Sequence, residues 1–195
     1  YVWLMYRGAK YFAKHIVTVS QFSKQELEDV YHIESEKVSV IYEAPPDFPD
    51  IDEETVLKVR DKFSIQREYF LYVGSTRPRK NLERLLLAFR RFLETKTQEY
   101  ELVVAGSLDS RFLNLKKIIE DAGLRGRVIL TDFVTQEEKV ALYKGARALV
   151  FPSLYEGFGL PVLEAQSLGI PVLTSNTSSL PEVAGRGALY VDPYS

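Results

Sequence analysis

The 195-residue sequence contains no cysteine and only two histidines, His15 and His32. Disulfides and thiolate metal sites are excluded, and an imidazole cluster has almost nothing to form from, so no bound metal is expected. A chain without disulfides fits the cytoplasm, and that location is the expectation. Long apolar runs are also missing: nothing approaches the ~18 residues of a membrane span or resembles a cleavable signal peptide. There is no excess of one charge, since 25 Lys plus Arg face 27 Asp plus Glu for a net −2 and a sequence pI near 5.8. That balance argues against nucleic acid as a partner, and any bound anion must be held locally. Neither a nucleophile triad nor a dinucleotide-type glycine fingerprint is present. The sequence opens on Tyr1 rather than methionine, and a fragment or trimmed chain is expected. What it does have is 46% hydrophobic residues, enough for a core in one or two domains.

The aromatic and basic opening, Tyr1 to Lys14, reads as a helix that needs a packing partner, in preference to one lying on a membrane surface. Ile16-Val-Thr-Val19 and Val38-Ser-Val-Ile-Tyr42 read as short strands, and Ser23-Lys-Gln-Glu26 as a capping box leading a helix toward Tyr31. Three prolines between Ala44 and Asp50 break regular structure and mark a hinge. After a polar helix near Asp52 to Phe63, strands and helices alternate. Tyr69 to Val73, Glu101 to Ala105, Val128 to Thr131, Ala148 to Phe151 and Pro171 to Thr174 read as strands. Leu82 to Glu94, Ser110 to Ala122, Thr135 to Lys144 and Leu160 to Leu168 read as the helices between them. Such alternation predicts an α/β fold: a Rossmann-like parallel sheet with helices on both faces. Leu82, Leu85, Leu86, Phe89 and Leu93 recur at helical spacing as the face laid on that sheet, leaving Arg84, Arg90 and Arg91 toward water. Ligands of such sheets bind beyond the carboxyl ends of the strands, so the loops after Val73, Ala105, Thr131, Phe151 and Thr174 are the ones of interest.

The loop after Phe151 is the most informative. Phe151-Pro-Ser-Leu-Tyr-Glu-Gly-Phe-Gly-Leu-Pro-Val-Leu-Glu164 sets Glu156 just before a helix N-terminus and Glu164 one turn inside it. Gly157 and Gly159 permit backbone conformations closed to other residues, and Pro161 suits the first helical turn. The free amides near Gly159 and Leu160, with roughly half a positive charge at the helix end, suit phosphate or polarised sugar oxygens. The carboxylates suit sugar and ribose hydroxyls. Each glutamate could instead simply complement the helix dipole, and it is the Gly-Phe-Gly-Leu-Pro interior that favours a site. Gly74-Ser-Thr-Arg-Pro-Arg-Lys-Asn-Leu82 brings three cations to the end of another strand. Alone this reads as a solvated basic loop with Asn81 as helix cap; beside the Glu156 loop it reads as a diphosphate site. Thr174 to Glu182 reads equally as a capped loop or a third wall. His15 and His32 read as structural and as a surface helix-end cation.

These residues, in this order, resemble the second half of the retaining glycosyltransferases of family 4, which have the two-Rossmann GT-B architecture. The resemblance covers nearly the whole chain: Ile16 to Lys24, Val38 to Tyr42, Tyr72-Val-Gly74 with Pro78 to Leu82, Leu102 to Gly106, and Phe151 to Gly185. Its specific element is the Glu-x7-Glu pattern of Glu156 and Glu164. The resemblance implies that Glu156 contacts the donor sugar near its reacting centre, that the amides of Phe158, Gly159 and Leu160 hold sugar and phosphate, and that Glu164 takes the ribose hydroxyls. Arg79 and Lys80 would bind the diphosphate, in a donor loop that includes Gly74, Ser75 and Arg77. Many members have arginine directly after the glycine at position 74; Ser75 stands there instead, leaving Arg77 or Arg79 for the second phosphate contact. Lys14 occupies a place where aspartate is common.

The resulting expectation is that residues 1–50 end an acceptor domain and linker, while residues 51–195 form the nucleotide-sugar-binding half, cut short at its C-terminus. The intact enzyme would move a hexose, mannose favoured over glucose, from a nucleotide-diphosphate sugar to a hydroxyl with retention. GDP-mannose is the favoured donor and UDP-glucose the second choice. The acceptor would be a sugar, a lipid-linked sugar or a small molecule, with peripheral contact at the inner face of the membrane through the missing domain. The alternatives are a nucleotide-sugar-binding module inactive on its own, which suits the isolated chain best, and a GT-B sugar-nucleotide epimerase.

Overall fold

The alternation of strands and helices resolves into a six-stranded, wholly parallel sheet in the computed structural model, which describes residues 8–107 and 114–195. A separate two-stranded parallel sheet pairs β1 (Ile16–Thr18) with β2 (Val38–Val40), and helix α1 (Gln21–Asp29) connects them. Residues 41–52, with their three prolines, hold no regular structure and lead to the larger sheet. Its strands are β3 (Glu68–Val73), β4 (Tyr100–Ala105), β5 (Val128–Asp132), β6 (Ala148–Phe151), β7 (Val172–Ser175) and β8 (Ala188–Val191). They lie in the order β5-β4-β3-β6-β7-β8, the doubly wound order that reverses between its first and fourth strands. The crevice at that reversal opens at the ends of β3 and β6.

Leu71, Leu102, Val103, Val104 and Leu149 are fully buried, the near-continuous apolar run that a sheet covered on both faces requires. The helices are α2 (Glu53–Lys62), α3 (Leu82–Glu94), α4 (Leu115–Asp121), α5 (Gln136–Lys144), α6 (Leu160–Ser167) and α7 (Leu180–Ala184). Phe70 packs edge-on against Phe92 of α3, with ring centroids 5.4 Å apart. Its neighbour Tyr69 donates a 2.7 Å hydrogen bond to Leu142 O of α5. Adjacent residues of a strand face opposite ways, so α3 and α5 cover opposite faces. Leu82, Leu85, Leu86 and Phe89 are buried under α3 as their spacing predicts. No helix among the described residues is long and apolar enough to cross a membrane.

Local signals decide the helix ends. Asp52 accepts from Thr55 N at 2.8 Å, and Thr135 with Glu138 forms the expected capping box. The box predicted at Ser23 is displaced: Ser20 is the cap, its Oγ accepting from Ser23 N at 3.0 Å. Ser23 and Glu26 therefore lie inside the helix. Strand β8 was not foreseen, because its four residues follow two glycines and half of them face water. Of the opening helix, residues 8–12 are helical and residues 1–7 lie outside the described residues, as do residues 110–113 of the helix predicted from Ser110. That helix begins at Leu115, with Asn114 accepting from Lys117 N.

Candidate functional site

Close backbone approach comes first. Gly106, at the end of β4, has φ +126°, and a Cβ there would stand 2.4 Å from the carbonyl oxygen of Gly74. Only glycine lets the backbone beyond the two strand ends approach so closely. The Gly74 loop continues into a 3-10 turn, Pro78–Lys80, and then Asn81 in the left-handed region at φ 60°. Asn81 does not cap α3 with its side chain, as predicted; it donates to Pro152 O at 3.1 Å and Pro193 O at 2.9 Å. Leu154 N donates to Arg79 O at 2.7 Å, and Ser153 Oγ lies 3.0 Å from the same oxygen. The β3 and β6 loops are thus stitched into one wall of the crevice. The basic loop is only partly a solvated turn: Arg77, Pro78 and Arg79 are exposed, while Thr76, Lys80 and Asn81 are buried.

Glu156 stands at the centre of that wall and is itself buried. Its Oε2 lies 2.7 Å from Arg79 Nη1 and its Oε1 2.6 Å from Lys80 Nζ, while Ser153 Oγ donates to Oε1 at 2.5 Å. Ser178 Oγ accepts from Glu156 N at 3.0 Å. Burial alone would raise the Glu156 carboxyl, but the Lys80 charge and the hydrogen bonds of Lys80, Ser153 and Arg79 outweigh it and hold it below its ordinary value. Lys80 shifts the other way from what a simple pair would give. Burial lowers its ammonium, the Glu156 charge opposes that, and Arg79 and Arg77 add to the lowering. The disagreement has a physical reason: one carboxylate serves two cations, so a surplus positive charge remains in a partly desolvated place. Lys80 Nζ also sits 4.7 Å from the Phe151 ring centroid, where the ring face offers partial compensation.

Helix α6 begins beyond Glu156. Gly159, the N-cap, takes φ +118°, a conformation that favours glycine, and a Cβ there would stand 2.8 Å from Leu180. Gly157 differs from expectation: it is not left-handed, and a Cβ would meet only Ser23 Oγ at an ordinary 3.8 Å. The amides of Phe158, Gly159 and Leu160 donate to no acceptor among the described residues, while Ser179 Oγ anchors the turn from behind by reaching Glu156 O at 2.9 Å and Phe158 O at 2.7 Å. Glu164 is buried one turn into α6, with Lys139 Nζ 2.7 Å from Oε1 and Tyr143 Oη donating 2.9 Å to Oε2. Burial, then the Glu164 charge, pushes the Tyr143 phenol well up, so it stays a donor.

Glu156, Arg79 and Lys80 therefore meet directly. Gly74 lies under the same wall, held near Tyr72, whose hydroxyl donates to Ser75 O at 2.9 Å. Arg77 precedes the 3-10 turn and is close enough to influence Lys80. Sequence reasoning gave no role to Ser153, Ser178, Ser179, Lys139 or Tyr143. For Ser153 a signal existed, its place inside the Phe151 to Glu164 run, and for Ser178 and Ser179 their place in the Thr174 to Glu182 loop; for Lys139 and Tyr143 only long-range contact reveals the role. Among the described residues no group of three or more acidic or histidine side chains gathers as a cation site.

The signature of glycosyl transferases group 1 matches residues 56–195. Over 183 residues the chain is 36% identical to O-antigen chain mannosyltransferase B of Escherichia coli, covering 93% of this chain and 48% of that protein. It is 32% identical to O-antigen chain mannosyltransferase RfbU of Salmonella typhimurium, covering 92% and 47%. The chain thus spans about half the length of these relatives. A glycosyltransferase from Rickettsia africae superposes with TM-score 0.83 at 20% identity, over 98% of this chain and 53% of that one. HepE of Anabaena, solved in complex with UDP-glucose, superposes with TM-score 0.82 at 19% identity, over 99% and 55%. The shared sheet is one half of the GT-B architecture, and with a family signature over most of its length the chain belongs to the glycosyl transferases group 1 family.

Proposed function

We propose that residues 51–195 bind a nucleotide-diphosphate sugar and that the full-length protein transfers its hexose, with retention, to a saccharide hydroxyl. Residues 1–50 are read as the end of the acceptor-binding part and the linker. The carrying observation is the single carboxylate of Glu156 shared by Arg79 and Lys80 at the reversal of strand order, just before amides at the start of α6 that donate to no acceptor among the described residues. In this reading the diphosphate takes over Arg79 and Lys80, and the amides of Phe158, Gly159 and Leu160 hold phosphate and sugar oxygens. Gly74, Ser75 and Arg77 line the donor loop, Glu164 accepts from the ribose hydroxyls, and Glu156 is released toward the sugar's reacting carbon. The bond from that carbon to the diphosphate oxygen breaks as the acceptor oxygen attacks from the same face. The acceptor proton passes to the departing phosphate, whose charge the two cations stabilise.

Relatives named as O-antigen chain mannosyltransferases favour a GDP-mannose donor and a growing saccharide acceptor; in this reading the acceptor is lipid-linked and the full-length protein works at the inner face of a membrane. UDP-glucose is the second choice. Titration with GDP, UDP and ADP, followed by the sugar nucleotide of the base that binds, tests the donor: binding of GDP supports mannose, binding of UDP moves the reading to glucose. Glu156→Gln is expected to lower transfer by roughly 100-fold or more while nucleoside-diphosphate affinity is kept, because the cations stay available. Glu164→Ala is expected to weaken that affinity by about tenfold or more, the loss of hydrogen bonds to a charged group. If both variants bind and transfer like the parent protein, the pocket has been misplaced.

A further inference from the structure

Helix α5 is buried through Val140, Ala141, Leu142 and Tyr143, and Lys139 stands one turn before Tyr143, on the same side of the helix. Both reach across to Glu164 of α6: Lys139 Nζ is 2.7 Å from Oε1, and Tyr143 Oη donates 2.9 Å to Oε2. Tyr143 is also 3.3 Å from Pro161 O, in the first turn of α6. The Lys139 side chain keeps only 20% of its exposure, and its ammonium lies 5.9 Å from the ring centroid of Phe48 in the linker. Glu164 is therefore gripped by one donor on each oxygen and cannot turn about its terminal bond without breaking one of them.

We propose that Lys139 is the positioning residue for the donor's ribose. The inference rests on the reading that Glu164 accepts from the ribose hydroxyls. An ionised carboxylate oxygen can accept about two hydrogen bonds, so a grip of one protein donor per oxygen leaves one acceptor place on each. Two fixed acceptor places on one plane match a vicinal diol, whose hydroxyls each donate once. The ammonium also offsets the repulsion between a buried carboxylate and the diphosphate of the same ligand. Lys139 acts through Glu164 and need not touch the nucleotide.

The test uses the full-length protein and compares the affinity of GDP or UDP, whichever binds, with that of its 2′-deoxy counterpart. The ribonucleotide is expected to bind roughly tenfold or more tighter than the deoxynucleotide. Lys139→Met should bring that ratio close to one, Lys139→Arg should restore it, and Tyr143→Phe, which removes the other grip, should lower it as well. A ratio that survives Lys139→Met, or a loss of affinity that falls equally on both nucleotides, overturns the positioning role. If in addition Glu164→Ala abolishes the ratio, the ribose reading of Glu164 still stands. A parent protein that does not discriminate overturns the ribose reading and this inference with it.

Discussion

Lys80 is buried against a carboxylate that it shares with Arg79, and burial, ahead of every other influence, lowers its ammonium from the ordinary 10.5. If Lys80 binds the diphosphate as proposed, binding needs the charged form, and the sign follows: affinity is expected to be full at neutral pH and to fall as pH rises through a folded value below 10.5. Lys80→Arg, whose guanidinium keeps its proton throughout, should remove that alkaline limb. Titration of the nucleotide across the alkaline range reads the outcome, and an identical limb in parent and Lys80→Arg would assign it to another group. The residues of this cluster were legible because they sit in two contiguous runs with glycine and proline landmarks. Lys139 and Tyr143 were not, and for Ser178 and Ser179 only the loop was marked, since such side chains carry no local mark of the residue they will meet. Glu164 meets Lys139 across 25 positions and Glu156 meets Ser178 across 22.

At the level of elements, the backbone just after β3 and β4 comes together at Gly74 and Gly106, and the lack of a side chain on Gly106 is what permits it. Gly106→Ala would place a methyl 2.4 Å from Gly74 O in a φ that L residues avoid. The strained backbone alone costs about 1–3 kcal/mol, and because the obstacle is backbone, the Gly74 loop must move as well. Gly123→Ala is the control: φ +68° with nothing within 4 Å of its Cβ, so it meets strain without a clash. Thermal unfolding should show the larger loss for Gly106→Ala, at about 2–4 °C per kcal/mol for a chain of this size, and nucleotide affinity should fall for that variant alone. Equal losses would mean that the close approach does not shape the site. Alternating strands and helices were readable because parallel strands must be apolar and their helices amphipathic. Strand β8 and the true cap of α1 were not: the first is too short for a pattern to emerge, and two serines three apart offer the same chemistry at either place. Only the fold decides between them: Ser20 is extended and its Oγ accepts from Ser23 N at 3.0 Å, while both hydroxyls reach Gly157 O.

On the scale of the whole molecule, the two sheets meet through polar contacts concentrated on the site loops. Glu182 of α7 accepts from Gln21 N at 2.7 Å and Phe22 N at 3.1 Å, so its carboxylate sits at the positive end of α1. Ser20 and Ser23 both reach Gly157 O, Phe22 packs edge-on against Tyr155, and Tyr42 lies beside Phe158 with ring centroids 6.3 Å apart. The same carboxylate raises the Tyr42 phenol, chiefly by hydrogen bonding. Glu156 and the amides that follow it are thus held between the α7 loop on one side and α1 on the other. Breaking the latch should loosen the site without touching the sheet. For Glu182→Gln, which keeps the shape and removes the charge, faster hydrogen exchange is expected at the Gln21 and Phe22 amides, while Val103 and Val104 in the centre of the sheet stay protected. Transfer by the full-length protein should fall several-fold more than nucleoside-diphosphate affinity, because Arg79, Lys80 and Glu164 keep their places when the α1 side opens. Unchanged exchange at Gln21 and Phe22 would show that the serine and aromatic contacts hold α1 on their own. A parallel loss of exchange protection in β4 would make Glu182 a support of the core instead of a latch across the crevice.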